Sequence, residues 1–463
     1  MEEGDKVMAN RVVVAGGGAS GLAAAVFAAE NGARVTILEH KDRVGKKILM
    51  TGNGRCNLTN MSDVHGKYYS SDKDSMNRIY DTLVRFDAGE TRDFFKRLGL
   101  YTKEKRDGGV YPVSEQAAVV LDVLRSACVR LGVKIRTDCE VTAIKPALTG
   151  GGTVSVTQYA CSVHEQGKMA GKNDKMTAKR VEVKREEIKY DRLILAAGGK
   201  AAPVSGSDGS GYALAKKLGH SVIEPLPALV QLRCEGDFFK ALAGVRAHCR
   251  ICLLTDGREA ACEEGELQLT DYGISGIPVF QLSRLASRAV YEGKRCEAGI
   301  NFIPYIEETD NGIFDSNIDH NVREFSDKTA EEFLSGLVHK KIAAVVCKRN
   351  KIASGATVGQ AGAAKIRDCI RMLADFRVKI TAPNSFENAQ VCCGGVPLGE
   401  VSDNFASNIH SDIYVIGELL DCDGVCGGYN LQWAWATGAI AGTDAARRSG
   451  RWGVSMKSEI SRS

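Results

Sequence analysis

The tightest constraint on this chain lies in residues 11–39. "RVVVAG" is a short β-branched run that reads as a buried parallel strand. It leads straight into Gly16-x-Gly18-x-x-Gly21 and then into "LAAAVFAAENG", an alanine-rich helix stopped by Asn31-Gly32. "RVTILE" follows as a second strand ending at Glu39. Gly16 allows the tight turn, Gly18 lets the backbone approach a pyrophosphate, and Gly21 lets helix and strand pack closely. The helix N-terminus offers unpaired N–H groups and a partial positive charge. Glu39 stands where an acid accepts hydrogen bonds from a ribose. Strand, glycines, helix, strand and acid in this order predict a dinucleotide-binding βαβ unit.

Composition narrows the rest. With 463 residues the chain exceeds one ordinary core, so two or three domains are expected. It is 44% hydrophobic and 25% charged, with a formal net charge of +4. This near balance gives no reason to expect nucleic acid or an anionic membrane as partner, although local basic patches stay open. No apolar run reaches the roughly 18 residues of a membrane span. The N-terminal segment "MEEGDKVMAN" is polar, and the run after it is too broken by glycine for a signal peptide. The 15 cysteines lack the regular spacing of a secreted disulfide scaffold, so a reduced, cytoplasmic setting is expected. The eight histidines show neither HxxxH nor HExxH spacing, and no metal site is expected.

A second glycine signal, "YDRLILAAGGKAAP" (190–203), follows a set of short strand-like runs, "GVKIRTDCEVTAI", "GGTVSVTQ" and "KRVEVKREEIKYD". The charged stretch at about 163–180 reads as an exposed hairpin insertion. A fingerprint strand, a β-excursion and a strand ending in "AAGG" resemble FAD domains of the two-dinucleotide type. No second complete fingerprint with its acid follows, which predicts one tightly bound FAD and no dedicated nicotinamide domain. Near the C-terminus, "SDIYVIGELLDCDGVCGGYNLQWAWATGAIAG" reads as a strand stopping at Gly417-Glu418, a glycine-rich loop, and a helix from about Leu431 to Arg447. This is a second anion-binding loop, suited to a flavin edge or a pyrophosphate.

Taken with "GKKILMTGNGRCNLTN", "GGVYPVSEQAAVVLDVL", "GELQLTDYGISG" and the "GGYNLQWAWATG" block, the chain resembles the YhiN/BaiN-type family of FAD-dependent oxidoreductases over almost its whole length. The family is also labelled aminoacetone-oxidase-like. The resemblance implies an α/β fold: a Rossmann-like FAD domain (8–204 with its β-excursion, and 391–450) and an inserted substrate region (205–390) of a β-domain and a small helical domain. It implies FAD contacts at Gly16, Gly18, Ala19, Ser20, Gly21, Glu39, His40, Arg55, Cys56, Val141, Gly198, Gly417, Glu418, Asp421, Gly428, Asn430 and Leu431. In "TGNGRCNLTN", Arg55 can neutralise a pyrophosphate or stack on the cofactor, and Asn53 and Asn57 can serve the mixed donor and acceptor edge of a flavin. The cysteine after Cys56 is Cys128, so a dithiol mechanism from this loop is not expected and Cys56 reads as a small packed residue.

Within the family, hydride passes from NAD(P)H, a transient co-substrate, through FAD to an enone, the leading case being a 3-oxo-Δ4,6 bile acid. Other readings are an amine oxidase and a flavin-dependent nucleic-acid-modifying or nucleic-acid-binding protein. One departure matters: many members read Thr-His-x-Gly-x-Ser-Gly-Pro where this chain has Thr270-Asp271-Tyr272-Gly273-Ile274-Ser275-Gly276-Ile277. No role resting on that histidine carries over. Tyr429, Tyr272 and Asp271 are the candidate acids or carbonyl-polarising groups, and packing explains each of them individually.

Overall fold

The computed structural model describes residues 9–162, 179–309, 320 and 322–447. The expected insertion at 163–180 falls almost wholly outside them, as do residues 448–450. The fingerprint forms as the sequence dictates: β1 (Arg11–Ala15), α1 (Ala19–Glu30) and β2 (Arg34–Leu38). They join a five-stranded parallel sheet in the order Ile413–Val415, Arg192–Leu195, β1, β2, Lys134–Arg136. Val12 to Ala15 are all buried, which explains the absence of alternation in this run. The C-terminal segment adds the edge strand Ile413–Val415 beside Arg192–Leu195, so it completes the domain begun at the N-terminus.

The expected excursion forms a three-stranded antiparallel sheet of Cys139–Pro146, Gly152–Ser162 and Lys179–Tyr190. The long C-terminal helix, here called α3 (Tyr429–Ala446), lies on α1. Its contact depends on small residues. A Cβ on Gly438 would stand 2.6 Å from the Ser20 carbonyl oxygen, and one on Gly442 would stand 2.3 Å from that of Ala24. Backbone against backbone at this spacing leaves no room for a side chain.

The inserted region closes into a six-stranded barrel, ordered Leu232–Cys234, Gly273–Ser275, Arg258–Leu269, Arg246–Thr255, Cys296–Asn301, Phe376–Pro383. Its core is separate from that of the dinucleotide domain and continues into the helices Ala330–Ser335, Lys340–Arg349 and Ala363–Ala374. The apolar run from 330 to 350 makes two helices: Thr329 starts the first with a capping box, and His339 Nδ1 accepts the Lys341 N–H at the start of the second. Helix α2 (Ile277–Tyr291) packs against the barrel and against the strand Ile223–Ala228, which pairs with Val391–Gly395 beside the dinucleotide domain. Cys252 and Cys262, directly opposed on neighbouring barrel strands, form a disulfide with Cα atoms 4.1 Å apart. This pair departs from the expected reduced state of the cysteines, and it is the hairpin register that brings the two together. Among the described residues no helix is long and apolar enough to cross a membrane.

Candidate flavin and substrate site

Two helix N-termini face the junction of the N- and C-terminal segments. α1 starts at Gly18 with no side-chain cap and no acid in its first turn, and the space in front of Gly18 is open. α3 starts at Gly428, φ 100°, again with no side-chain cap or first-turn acid. The first N–H groups of both helices are therefore left for an external acceptor, as an anionic ligand requires. Gly16 (φ 108°) turns the loop under this entrance, where a Cβ would meet the Ala196 carbonyl oxygen at 2.3 Å.

The loop is braced by the acid at the end of β2. Buried Glu39 accepts the Gly17 N–H through Oε2 at 2.9 Å and the Lys41 N–H through Oε1 at 2.8 Å. Next to it, His40 Nε2 is buried with no hydrogen-bond partner; Asp208 Oδ2 lies 3.8 Å away. Gly417 (φ 67°) abuts Ser20, donates its N–H to Thr437 Oγ1 at 3.1 Å and accepts Trp433 Nε1–H at 3.1 Å. Ala19, Ser20, Gly21 and Gly417 thus share one corner. Gly198 (φ 72°) and Glu418 lie at its edge, where Glu418 accepts Lys47 Nζ at 2.6 Å and the Cys392 N–H at 3.0 Å.

In the "TGNGRCNLTN" loop, Asn57 Oδ1 is buried and unpartnered, and the Cβ that Gly428 lacks would stand 2.9 Å from it. Arg55 is partly exposed, donating Nε–H to the Gly52 carbonyl and standing 3.8 Å from Glu115. Cys56 is fully buried with φ 57°, and burial pushes its thiol up to about 12. Asp421 is fully buried, but its carboxylate is taken up by Ser70 and Ser71, including the Ser71 N–H at 2.7 Å. Asn430 braces its own loop by exchanging hydrogen bonds with the Gly424 N–H and C=O. Leu431 is half-buried, and Val141 lies half-buried in the excursion sheet opposite Val156. Two uncapped helix starts, an open face at Gly18 and orphaned polar atoms at His40 and Asn57 fit a pyrophosphate-bridged dinucleotide with a polar-edged ring.

The acid candidates are dispersed. Asp271 is exposed, whereas the Tyr272 hydroxyl accepts Asn384 Nδ2–H at 3.1 Å on the barrel. Tyr429 is buried at the start of α3, edge-on to Tyr68 with ring centroids 5.7 Å apart, and burial raises its phenol. No hydrogen bond joins Tyr272 to Tyr429 among the described residues. A further group that was not among the sequence candidates is the ion pair of Arg284 on α2 with Asp423 in the glycine-rich loop, at 3.0 Å. Burial pushes the Asp423 carboxyl up to about 6 against the opposing pull of Arg284. The aspartate stands in the "GELLDCDGVCGGYN" motif, but its partner is 139 residues away and carries no local signature.

The sequence matches the family described as "HI0933-like protein Rossmann domain" over residues 10–444. It is 41% identical over 443 residues to a 3-dehydro-bile acid delta(4,6)-reductase of Clostridium scindens, covering 95% of this chain and 100% of that protein. It is 25% identical over 447 residues to a ribosomal RNA dihydrouridine synthase of Haemophilus influenzae, covering 94% and 98% of the two chains. A protein of the same name from Escherichia coli is 24% identical over 426 residues, covering 92% and 95%.

Proposed function

The chain belongs to the HI0933-like Rossmann family, and from that premise we propose that it is an FAD-dependent reductase of carbon–carbon double bonds conjugated to a ketone, with a 3-oxo-Δ4 or 3-oxo-Δ4,6 steroid of the bile-acid type as substrate and NAD(P)H as electron donor. The observation that carries this reading is the 41% identity to a bile-acid reductase over 95% of this chain and 100% of that protein. When bound, FAD supplies the hydride chemistry. The chain's own part is binding and orientation. The N-termini of α1 and α3 would hold its anionic and ring portions, Glu39 would accept from the ribose, and His40 and Asn57 offer buried polar atoms that lack partners. Leu226, Leu229, Val391 and Cys393, with Phe280 of α2 packed against them, supply apolar surface for the body of the substrate.

Anaerobic mixing separates this reading from an amine oxidase. NAD(P)H should bleach the bound flavin and a steroid enone should restore it; bleaching by amines and not by nicotinamide would overturn the proposal. A second reading, reduction of a uracil ring in RNA, uses the same chemistry on a double bond beside a carbonyl. It is favoured by one surface. Lys340, Lys341, Lys348, Arg349, Lys351 and Lys365 are exposed on the helical part of the inserted region, where the helices Lys340–Arg349 and Ala363–Ala374 carry a single carboxylate, Asp368. Conversion of a uridine-containing RNA, with the steroid enone recovered intact, would favour it.

A further inference from the structure

α2 divides its faces between two tasks. Ser283 and Ser287 are buried and lock the helix to the neighbouring strand, Ser283 Oγ accepting the Val230 N–H at 3.2 Å and Ser287 Oγ donating to the Pro227 carbonyl at 2.6 Å. Gln281, Arg284 and Arg288, spaced by three and four residues, form a stripe toward the dinucleotide domain. Gln281 accepts the Cys426 N–H at 3.0 Å, Arg284 pairs with Asp423, and Arg288 reaches Ser71 Oγ at 3.5 Å. The barrel lobe therefore meets the glycine-rich loop through polar side chains from one helix.

Arg284 stands out in this stripe. Its side chain is 16% exposed and that of Asp423 is 2% exposed. Nε and Nη2 donate to the two carboxylate oxygens at 3.0 and 3.3 Å, and the guanidinium lies 4.4 Å from the centroid of the Tyr69 ring. Nη1 has no acceptor among the described residues, and it is not among their buried unpartnered nitrogens, so it remains open. Asp423 is itself fixed by strand pairing of Asp423–Gly424 with Tyr68–Tyr69. Beside the pair lies an apolar cluster of Leu226, Leu229, Val391 and Cys393, joined by Phe280 one turn before Arg284 and by Cys426. An oriented cation with a spare N–H donor, next to an apolar wall, matches a ligand with an apolar body and one oxygen that gains negative charge.

We propose that Arg284 is a catalytic residue that donates to the carbonyl oxygen of the conjugated ketone, and that Asp423 is the positioning residue that aims it. This rests on the reductase reading above. As hydride arrives at the β-carbon, the electron pair of the double bond moves toward the carbonyl and the oxygen takes on negative charge. The Nη1–H groups stabilise that charge without transferring their protons, and the α-carbon then takes a proton that originates in solvent. Tyr69 under the guanidinium and the two bonds to Asp423 leave Arg284 little freedom, so the donor is set before the substrate enters.

The test uses the holoprotein, reduced anaerobically with dithionite and mixed with a steroid enone while flavin absorbance is followed. Arg284→Met should slow reoxidation at saturating enone about 100-fold at unchanged FAD occupancy, and Arg284→Lys should recover part of the rate. Asp423→Asn should lower the limiting rate more than it raises the half-saturating enone concentration. A phenolic steroid, whose oxygen mimics the enolate, should bind oxidised Arg284→Met at least about 30-fold more weakly than wild type. Unchanged reoxidation and unchanged phenol affinity in Arg284→Met, with the reaction intact in wild type, would overturn the assignment and leave the reductase reading standing. If Arg284→Met sheds its FAD or fails to fold, the phenol affinity of Arg284→Lys decides: equality with wild type overturns the assignment. Failure of every enone to reoxidise the wild-type protein would overturn the reductase reading and this assignment with it.

Discussion

Glu39→Gln should destabilise the protein even without flavin, because the carboxylate braces the chain as well as the ligand. In wild type the two oxygens accept N–H groups from Gly17 and Lys41 at 2.9 and 2.8 Å, and the side chain is buried. Hydrogen bonds to a charged acceptor are worth about 1.5–3 kcal/mol each. Glutamine keeps one acceptor but turns an NH2 group toward the other N–H, so one bond is lost and a buried donor is left facing a donor. The expected cost is about 3 kcal/mol, the sum of a weakened bond and an unsatisfied group. If the loop shift reaches the ligand in full, flavin affinity falls about 100-fold. Urea denaturation of the flavin-free protein should show a lower midpoint for Glu39→Gln, and dialysis of the holoprotein should strip flavin sooner. A variant whose flavin-free midpoint equals that of wild type, with only holoprotein stability reduced, would refute the bracing role.

Gly442→Ala should cost about 3 kcal/mol, because the new methyl would stand 2.3 Å from the Ala24 carbonyl oxygen and force α3 away from α1; a melting temperature within error of wild type would contradict that packing. Cys56 should resist alkylation in the folded protein at pH 8, since burial holds its thiol near about 12, and Cys56→Ser should keep most activity; rapid labelling seen by peptide mass analysis would contradict this. The Asp423 carboxyl, raised from 3.8 to about 6, stabilises the fold when protonated, so its contribution is full below pH 3.8 and lost as pH rises past about 6. At about 1.4 kcal/mol per pH unit this makes ~3 kcal/mol, and Asp423→Asn should remove that slope from stability measured between pH 4 and pH 7.

What could be read from the sequence was local. The segment 11–39 carries its strand, turn, helix and acid within one short stretch, and each residue type has a job that its neighbours alone define. The same holds for the glycine-rich loop leading into α3, although the Asp421 and Asn430 side chains spend their hydrogen bonds on Ser70, Ser71 and Gly424 within the chain. The barrel was expected only as an inserted β-domain. Its closure depends on Leu232–Cys234 pairing with Phe376–Pro383, a contact between distant segments that no local pattern encodes. The Cys252–Cys262 bond needs the hairpin register, and the Arg284–Asp423 pair needs the docking of two lobes. In isolation Arg284 is one more cation on an amphipathic helix, which usually means a solvated face.

The most direct test of the account follows one turnover by two signals. Protein reduced to completion without oxygen is mixed with one equivalent of a 3-oxo-Δ4 or 3-oxo-Δ4,6 steroid, and flavin absorbance and steroid mass are recorded on the same sample. The account predicts that oxidised-flavin absorbance returns as the steroid gains two hydrogens across the conjugated double bond. Recovery of the steroid unchanged, with the flavin reoxidised only when oxygen is admitted, would contradict it.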